Sequence, residues 1–323
     1  MKRIAVIGER NSGVATLIGD TLRKTAGWRV GVLPLTKSDR LEEGFSRLER
    51  AGYDCAVGTT EHAMLRRPVA LGVLTGGGEA VDRSTLNTCE KLVVNLDGEQ
   101  GAQLANRCPV LTYSERNNRA DLIAKFLRCY PNRTEFDALT RQGIQRVRLP
   151  VLGGYDLYQG LAALGCGLSL GFPLPKLAKA VECAAGLPGK MEPFSTGLNF
   201  RLVLDTGKTA EELEPVLLSL SPMRGAGGRL CVLLGQLSEQ AQRDAEELAG
   251  QLAQEVLPFT ADRRQAVYCL LSHGRENDVL LIAGAHEAGS AQDERKFAAE
   301  WLREHGNKAE GEPSAEGEKG RKK

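Results

Sequence analysis

A glycine-containing loop near the start of the chain has residue types that could hold a phosphate group. An apolar run at residues 4–7 predicts a buried strand, and apolar residues at 14–18 predict the helix after the loop. In this order the loop N–H groups and the positive end of the helix dipole face a phosphate. The candidate phosphate-contacting residues are Gly8, Asn11, Gly13 and Thr16. Because two glycines are a weak motif, the favoured interpretation is a tight turn in a Rossmann-like sheet that holds no nucleotide.

Strands and helices alternate along the chain and predict two α/β domains. Further strands of the first domain are predicted at 29–33, 54–57, 69–75, 91–97 and 110–113, and further helices at 40–50 and 120–128. The alternation begins again near residue 200 and continues to a helix at 293–305. Because strands alternate with helices, each sheet is expected to be largely parallel.

A predicted helical hairpin at 157–184 separates the two regions. Apolar residues recur in both helices at spacings of three and four, and Gly171, Pro173 and Pro175 interrupt the helical pattern between them. We therefore place a first domain at 1–195 and a second at 196–305. The polar tail at 306–323 has too few apolar residues to fold and is expected to be disordered.

The hairpin resembles the segment that leads into the last domain of the Mur ligases, the ATP-dependent enzymes that add amino acids to UDP-N-acetylmuramoyl peptides. The order and spacing of three segments carry the resemblance: YDLYQ at 155–159, residues 168–184 of the hairpin and PGKME at 188–192. The diamino-acid-adding members are the most similar. The resemblance implies a P-loop-like parallel-sheet central domain followed by a smaller Rossmann-like C-terminal domain, without a domain for the UDP-sugar.

The chain departs from the family pattern at the positions that carry charge in Mur ligases. The phosphate-binding lysine is replaced by Val14, and the glutamate that helps to hold magnesium is replaced by Gly58. The insert with a carbamylated lysine is missing after residue 75, and the segment AGAHE at 283–287 lacks the lysine of the family's GKGHE. One charge-assisted hydrogen bond contributes about 1.5 to 3 kcal/mol. Four such losses together are expected to abolish phosphoryl transfer.

Other polar residues match family positions and are candidate ligand-binding residues. Asp156 and Gln159 stand where the family has two asparagines near the adenine, and Asp205 matches an aspartate of the last domain. A solvent-facing first helical turn is an equal interpretation for Asp156 and Gln159. Further cleft candidates are His62, Asn95 and His286. No catalytic residue and no metal ligand are predicted.

The composition bears on several other classes of protein. Lys and Arg number 42 against 41 Asp and Glu, so charge predicts neither nucleic-acid nor membrane binding. No apolar run reaches the roughly 20 residues of a membrane helix and no secretory signal is visible, so a cytoplasmic protein is expected. The 8 cysteines lack Cys-x-x-Cys spacing and are expected to be buried, reduced and free of metal.

Taken together, these features favour a non-catalytic relative of the Mur ligases that acts as a binding or regulatory partner in cell-wall peptide synthesis. The alternative is an ATP-dependent ligase that joins a carboxylate to an amine with rearranged chemistry. No cofactor is expected, and magnesium-ATP should bind weakly or not at all. A protein partner stays open, and the sequence does not indicate the oligomeric state. Replacement of Val14 by lysine is expected to improve nucleotide binding modestly, without turnover.

Overall fold

The chain divides into two compact units, Met1–Pro188 and Gly189–Lys323. The structure is a computed structural model that describes residues 1–8, 11–33, 38–60, 67–75, 87–98, 101, 110–130, 133–150, 154, 156–184, 186–187, 189–257, 260–286, 289–290 and 293–305. For residues 11, 12, 38 and 39 it describes the backbone alone.

The described part of the first unit is built on a sheet of nine strands. These are β1 (Lys2–Ile7), β2 (Val30–Leu33), β3 (Cys55–Thr60), β4 (Leu71–Leu74), β5 (Leu92–Asn95), β6 (Val110–Ser114), β7 (Leu122–Tyr130), β8 (Arg133–Thr140) and β9 (Gly143–Pro150). Their spatial order is β2-β3-β1-β4-β5-β6-β7-β8-β9. The strands from β2 to β7 pair in parallel, and β7, β8 and β9 form an antiparallel meander. The predicted parallel-sheet α/β fold is confirmed.

Helices cover both faces of this sheet. Within the described residues they are α1 (Asn11–Ala26), α2 (Ser38–Arg50), α3 (Leu157–Ser169) and α4 (Leu174–Glu182). In β1 the side chains alternate, so that Ile4 and Val6 join a core with α1, α3 and α4, while Ala5 and Ile7 join a core with α2. The helical hairpin predicted from the Gly-Pro interruption is therefore present as α3 and α4.

The helix predicted at 120–128 is wrong, because this segment belongs to strand β7. Leu122 and Ala124 are buried in the sheet core, and β7 pairs with β8 along its length. The pairing shifts by a bulge between Lys125 and Arg128, where Phe126 has φ 53°. The segment ADLIAKFLR contains many good helix formers, but propensity is a weak preference that strand pairing overrides.

The second unit contains a sheet of five strands in its described residues. The strands are β10 (Glu192–Phe194), β11 (Arg201–Asp205), β12 (Leu230–Leu234), β13 (Glu255–Leu257) and β14 (Val279–Ala283), in the order β10-β11-β14-β12-β13. The helices are α5 (Ala210–Leu220), α6 (Glu239–Leu252), α7 (Arg263–His273) and α8 (Glu294–His305). All pairs are parallel except β10 with β11.

The start of the second unit lies before the junction that we predicted between residues 195 and 196. β10 pairs with β11, so its residues belong to the second sheet. The segment before β10 is also anchored there, because Thr206 donates to the carbonyl of Gly189 at 2.8 Å and Met191 donates to Asp205 at 2.8 Å. Arg295 and Glu192 form an ion pair at 2.6 Å. The predicted tail at 306–323 lies outside the described residues.

The cysteines differ from expectation in their burial. Cys129 and Cys183 are exposed, and Cys269 is partly exposed, so the prediction that all are buried is wrong. All seven cysteines that the structure describes are free thiols. Within the described segments, no three or more His, Cys, Asp and Glu side chains group in a way that could hold a metal ion. The described helices include none with the length and apolar character to cross a membrane.

We predict that the peptide bond after Lys190 resists trypsin in the folded protein. Cleavage needs local opening of the segment, which the contacts of Gly189, Met191 and Glu192 oppose. Arg295→Ala removes the ion pair with Glu192, and a loss of about 1 kcal/mol should speed this cleavage about fivefold. Mass spectrometry of timed digests measures the rate.

Arg303→Ala is the matched control, because Arg303 also lies on α8 but, within the described part of the chain, its side chain donates only to the carbonyl of Ala299. Its digest should equal that of the wild type. Equal cleavage after Lys190 in Arg295→Ala and in the control would show that the Glu192 ion pair does not hold the segment.

Candidate functional site

The candidate phosphate loop lies at the carboxyl edge of the first sheet. Gly8 follows β1 with φ 119°, a conformation that side chains rarely adopt, and its N–H donates to the carbonyl of Thr60 at 3.4 Å. Helix α1 begins at Asn11, so its positive end faces this edge. Thr75, after β4, donates through its N–H to the carbonyl of Ile7 at 3.2 Å. The structure therefore places the predicted loop where a doubly wound sheet binds ligands.

The first turn of α3 packs against the first turn of α1. A Cβ atom added at Gly13 would lie 2.6 Å from Nε2 of Gln159, so glycine permits this close approach. Gln159 is buried, which contradicts the interpretation of a solvent-facing first turn for this residue. Its N–H donates to Oδ1 of Asp156 at 2.8 Å, and its Oε1 accepts from the N–H of Asp156 at 3.2 Å. Both residues thus form the capping box of α3.

A polar cluster that the sequence analysis did not assign as a site joins β5, β6 and α3. Oδ1 of Asp97 accepts from the hydroxyl of Ser114 at 2.5 Å, and Oδ2 accepts from the N–H of Glu115 at 2.8 Å. The hydroxyl of Tyr158 lies 3.2 Å from Oδ2 of Asp97 and 3.2 Å from Oε2 of Glu115. Asn95, a predicted cleft residue, accepts from the N–H of Asp97 at 3.0 Å.

The electrostatics of this cluster keep the tyrosine neutral and the aspartate charged. Burial, followed by the negative charges of Asp97 and Glu115, raises the pKa of Tyr158 to about 12. Burial alone would raise the pKa of Asp97, but the hydrogen bonds from Ser114 and from the backbone of Glu115 and Arg116 lower it below its usual value. The hydroxyl of Tyr158 contacts both carboxylates and so connects α3 to the sheet.

Asp205, a predicted cofactor-binding residue, is committed to the backbone of the second unit. Its Oδ1 accepts from the N–H of Gly207 at 2.7 Å, and its Oδ2 accepts from the N–H of Met191 at 2.8 Å. The side chain is 2% exposed. Lys190 is 3.9 Å away, at the limit of an ion pair. Both carboxylate oxygens therefore stabilise the start of the second unit.

His286 belongs to a buried charge network that sequence reasoning missed. Its Nδ1 lies 2.9 Å from Oε1 of Glu294, and its N–H donates to Oε2 of the same residue at 2.8 Å. Arg263 donates to Oε1 of Glu294 at 3.1 Å and to the carbonyl of Leu234 at 2.8 Å. Arg263 is 2% exposed and Glu294 is 0% exposed. No local motif marks these two residues, because only the fold brings the start of α7 to α8.

Comparisons with known proteins identify relatives of this chain. No protein-family model matches the chain. The chain is 27% identical over 230 residues to the UDP-N-acetylmuramoyl-L-alanyl-D-glutamate–2,6-diaminopimelate ligase of Bacillus licheniformis, with 60% of this chain and 46% of the relative covered. The Pseudomonas aeruginosa enzyme of the same name is 28% identical over 230 residues, with 60% and 47% covered. The chain is homologous to the Mur ligases.

The chain spans about half the length of these Mur ligases. Solved structures show the same fold over most of the chain. A UDP-N-acetylmuramoyl-L-alanyl-D-glutamate–2,6-diaminopimelate ligase has a TM-score of 0.70 at 18% identity, with 95% of this chain and 79% of that chain covered. The MurF ligase of Thermotoga maritima, solved with ADP, has a TM-score of 0.63 at 14% identity, with 95% and 81% covered. The predicted relationship to the Mur ligases is therefore confirmed.

The Mur ligase lysine position, Val14, faces the hydrophobic core in this homologue. Val14 is 2% exposed and Ala15 is 0% exposed, and both pack in the core between α1, α3 and the sheet. Leu17 and Ile18 belong to the same core. Thr16, a candidate phosphate-contacting residue, is half-buried on α1. A long charged side chain at Val14 would have to displace packed apolar groups to reach the loop.

The Mur ligase glutamate position, Gly58, is filled by α2. Gly58 is buried in β3, and a Cβ atom added there would collide with Cδ1 of Leu41 and lie 3.1 Å from Cζ of Phe45. Leu41 and Phe45 are both 0% exposed in the core on this face of the sheet. A carboxylate at Gly58 would have to displace the packed side chains of Leu41 and Phe45. His62, the remaining cleft candidate, lies outside the described residues.

Proposed function

We propose that this homologue of the Mur ligases is non-catalytic and acts as a binding or regulatory partner in cell-wall peptide synthesis. The observation that carries the proposal is the burial of Val14, at 2% exposure, where the family has its phosphate-binding lysine. A residue that completes an apolar core has a structural role there. The neutral side chain at this position supplies no positive charge to stabilise a transferred phosphoryl group.

The packing around Gly58 supports the same proposal from the other face of the sheet. Phosphoryl transfer depends on positioning and on neutralising charge, for which lysine and carboxylate-held magnesium are the usual groups. Leu41 and Phe45 occupy the space that a side chain at Gly58 would need. Loss of one electrostatic group of this kind costs about 3 to 4 kcal/mol in the transition state. Loss of both leaves little basis for catalysis.

The remaining polar candidates support the proposal because their hydrogen bonds stabilise the fold. Asp156 and Gln159 cap α3, and Asp205 holds two backbone N–H groups of the second unit. A nucleotide that used these groups would compete with bonds of the folded state, each worth about 0.5 to 1.5 kcal/mol. They are therefore poor candidates for tight ligand binding.

The competing function is an ATP-dependent ligase, and the geometry of α1 is the observation that favours it. The helix begins after Gly8 at the carboxyl edge of a parallel sheet, a place that attracts phosphate. A helix terminus alone contributes about 0.3 to 1 kcal/mol at an exposed site. This contribution does not replace the lysine and magnesium of the Mur ligases.

The non-catalytic part of the proposal is tested by titration calorimetry with magnesium-ATP. We expect no binding tighter than about 1 mM, and no phosphate release with diaminopimelate or other amino acids. The Bacillus licheniformis ligase measured in parallel is the positive control. Micromolar binding of ATP, or phosphate release by the chain, would overturn the proposal and favour the ligase.

The partner part is tested with the Mur ligases encoded by the same genome. Each ligase is assayed with and without an excess of this chain, and direct association is followed by calorimetry. We expect one ligase to bind the chain and to change its rate. If none binds and no rate changes, a role beside these ligases is excluded.

A further inference from the structure

The strongly exposed apolar side chains of this protein lie on two surfaces of opposite charge. Five large apolar residues of the described segments are strongly exposed, and four of them lie on the β7–β9 meander. These are Phe126 at 72%, Leu127 at 42%, Tyr130 at 37% and Ile144 at 70%. The fifth, Leu218 at 54%, lies on α5 in the second unit. Clusters of exposed apolar residues mark interaction sites more often than single residues do.

The sheet register places apolar and charged side chains of the meander together on the face opposite the helices. Ile144 pairs with Leu139, which pairs with Ile123, so these three share a face. The opposite face carries Phe136 and Ala138, which are buried against the helices. We define the meander surface as the exposed side chains of β7, β8 and β9.

The meander surface is basic. The segment 122–150 has six basic residues, Lys125, Arg128, Arg133, Arg141, Arg146 and Arg148, against the two acidic residues Glu135 and Asp137. Arg146 pairs with Asp137, and both Arg133 and Arg148 pair with Glu135. The two carboxylates are thus shared among three arginines. Two further carboxylates reach this surface from outside the segment, because Arg148 also pairs with Glu182 and Arg141 pairs with Asp121. Six basic groups against four acidic groups still leave an excess of positive charge around the apolar side chains.

The exposed face of α5 has the complementary character. Glu211, Glu214 and Leu218 are exposed and lie three, four and seven positions apart, which places them on one side of the helix. Residues 210–220 include three glutamates and no basic residue. We define the α5 surface as Glu211, Glu214 and Leu218. An apolar residue that is surrounded by negatively charged side chains is complementary to an apolar patch that is surrounded by positively charged ones.

We propose that two copies of this chain associate head to tail, with the α5 surface of one copy on the meander surface of the other. Pairing of two meander surfaces would place excess positive charges together, and pairing of two α5 surfaces would place glutamates together. A heterologous contact of this kind closes into a ring or extends into a chain of copies. The proposal is independent of whether the protein binds ATP, so its test is separate from that of the proposed function.

The first measurement is sedimentation velocity of the full chain over a range of concentrations. Because both surfaces are small, we expect a dissociation constant of about 10 to 100 μM. The weight-average sedimentation coefficient should rise between about 5 and about 200 μM at low salt, and less so in about 0.5 M NaCl, where charges are screened. A protein that stays monomeric at the highest concentration would overturn the proposal.

The second measurement mixes two variants that each lack one surface. Phe126→Ser with Ile144→Ser removes the meander surface, and Glu214→Arg with Leu218→Ser removes the α5 surface. Each variant alone should be monomeric, because it keeps only one half of the contact. An equimolar mixture should form a heterodimer, because each copy contributes its intact surface. Glu276→Arg, an exposed charge reversal elsewhere, is the control and should associate like the wild type.

The mixture distinguishes the head-to-tail contact from the alternatives. If the variant that lacks the α5 surface associates by itself, meander surfaces pair with each other. If the variant that lacks the meander surface associates by itself, α5 surfaces pair with each other. A mixture that stays monomeric would also overturn the proposal. Circular dichroism melting checks that every variant folds, as expected for exposed substitutions.

Discussion

Replacement of Val14 by lysine should destabilise the first unit by about 3 kcal/mol or more and should create no phosphate site. The side chain of Val14 is 2% exposed among apolar side chains of α1, α3 and the sheet. An ammonium group placed there loses its hydration and gains no acidic partner from that core. The modest gain in nucleotide binding expected from the sequence is therefore replaced by a loss of stability.

Urea denaturation of single-tryptophan variants measures this effect in one unit. The chain has 2 tryptophans, Trp28 in the first unit and Trp301 in the second, so a Trp301→Phe background reports the first unit alone. Val14→Met is the matched control, because it has an unbranched neutral chain of similar length and should cost less than about 1.5 kcal/mol.

The pH dependence separates charge from size. Burial lowers the pKa of an introduced amine in the folded state, so the unfolded chain holds more protons above that pKa and below about 10.4. The stability of Val14→Lys should therefore rise with pH in this window and approach that of Val14→Met. Equal stability of the two variants at pH 7, together with new ATP binding by Val14→Lys, would show that the position faces the loop.

Arg263→Ala should destabilise the second unit by about 3 to 5 kcal/mol, because it leaves the buried carboxylate of Glu294 without its arginine. Arg263 donates to Glu294 at 3.1 Å through Nε and through Nη2, and to the carbonyl of Leu234 at 2.8 Å. Among the described residues, the remaining side-chain partner of Glu294 is His286.

The neighbouring arginine provides the control. Arg264 forms an ion pair with Glu300 at 3.2 Å, but its side chain is 57% exposed. Arg264→Ala should cost no more than about 1 kcal/mol, as is usual for a surface pair. In a Trp28→Phe background the remaining tryptophan, Trp301, reports the unfolding of the second unit by urea. If the two alanine variants lose the same stability, the buried network is not what holds α7 to α8.

A double substitution tests the cause of the Arg263 effect. Arg263→Met with Glu294→Met removes both charges and leaves apolar side chains in their place. It should be more stable than Arg263→Ala, because no buried carboxylate is left unpaired. A double variant that is less stable than Arg263→Ala would assign the loss to packing rather than to charge.

Local sequence signals predicted most of the helices and parallel strands of this protein. The Gly-Phe-Pro break between α3 and α4 acts through local backbone geometry, and the alternation in β1 follows the two-residue period of a strand. Both are properties of a few consecutive residues. One exception was β7, where ADLIAKFLR has the composition of a helix and only the pairing with β8 makes it a strand. The strands β8 and β9 were not predicted either.

The polar contacts of the candidate site were less predictable. The sequence placed Asp156 and Gln159 at the start of α3, but the capping box between them and the packing of Gln159 on Gly13 were not predicted. Asp97 stands at the end of the strand predicted at 91–97, and its contact with Tyr158 joins positions distant in the chain. From the sequence alone, a side-chain acceptor could pair with many different donors. The fold decides which of these donors lies within hydrogen-bond distance.

The sequence by itself determined the two α/β units, the position of the helical hairpin and the loss of the charged residues of Mur ligases at Val14 and Gly58. It could not determine whether those two positions still face a ligand. Only the tertiary structure decided that Val14 completes one core and that Leu41 and Phe45 fill the space at Gly58. The reason is physical: periodicity and residue type depend on neighbours along the chain, whereas burial depends on which distant elements pack on each face of the sheet.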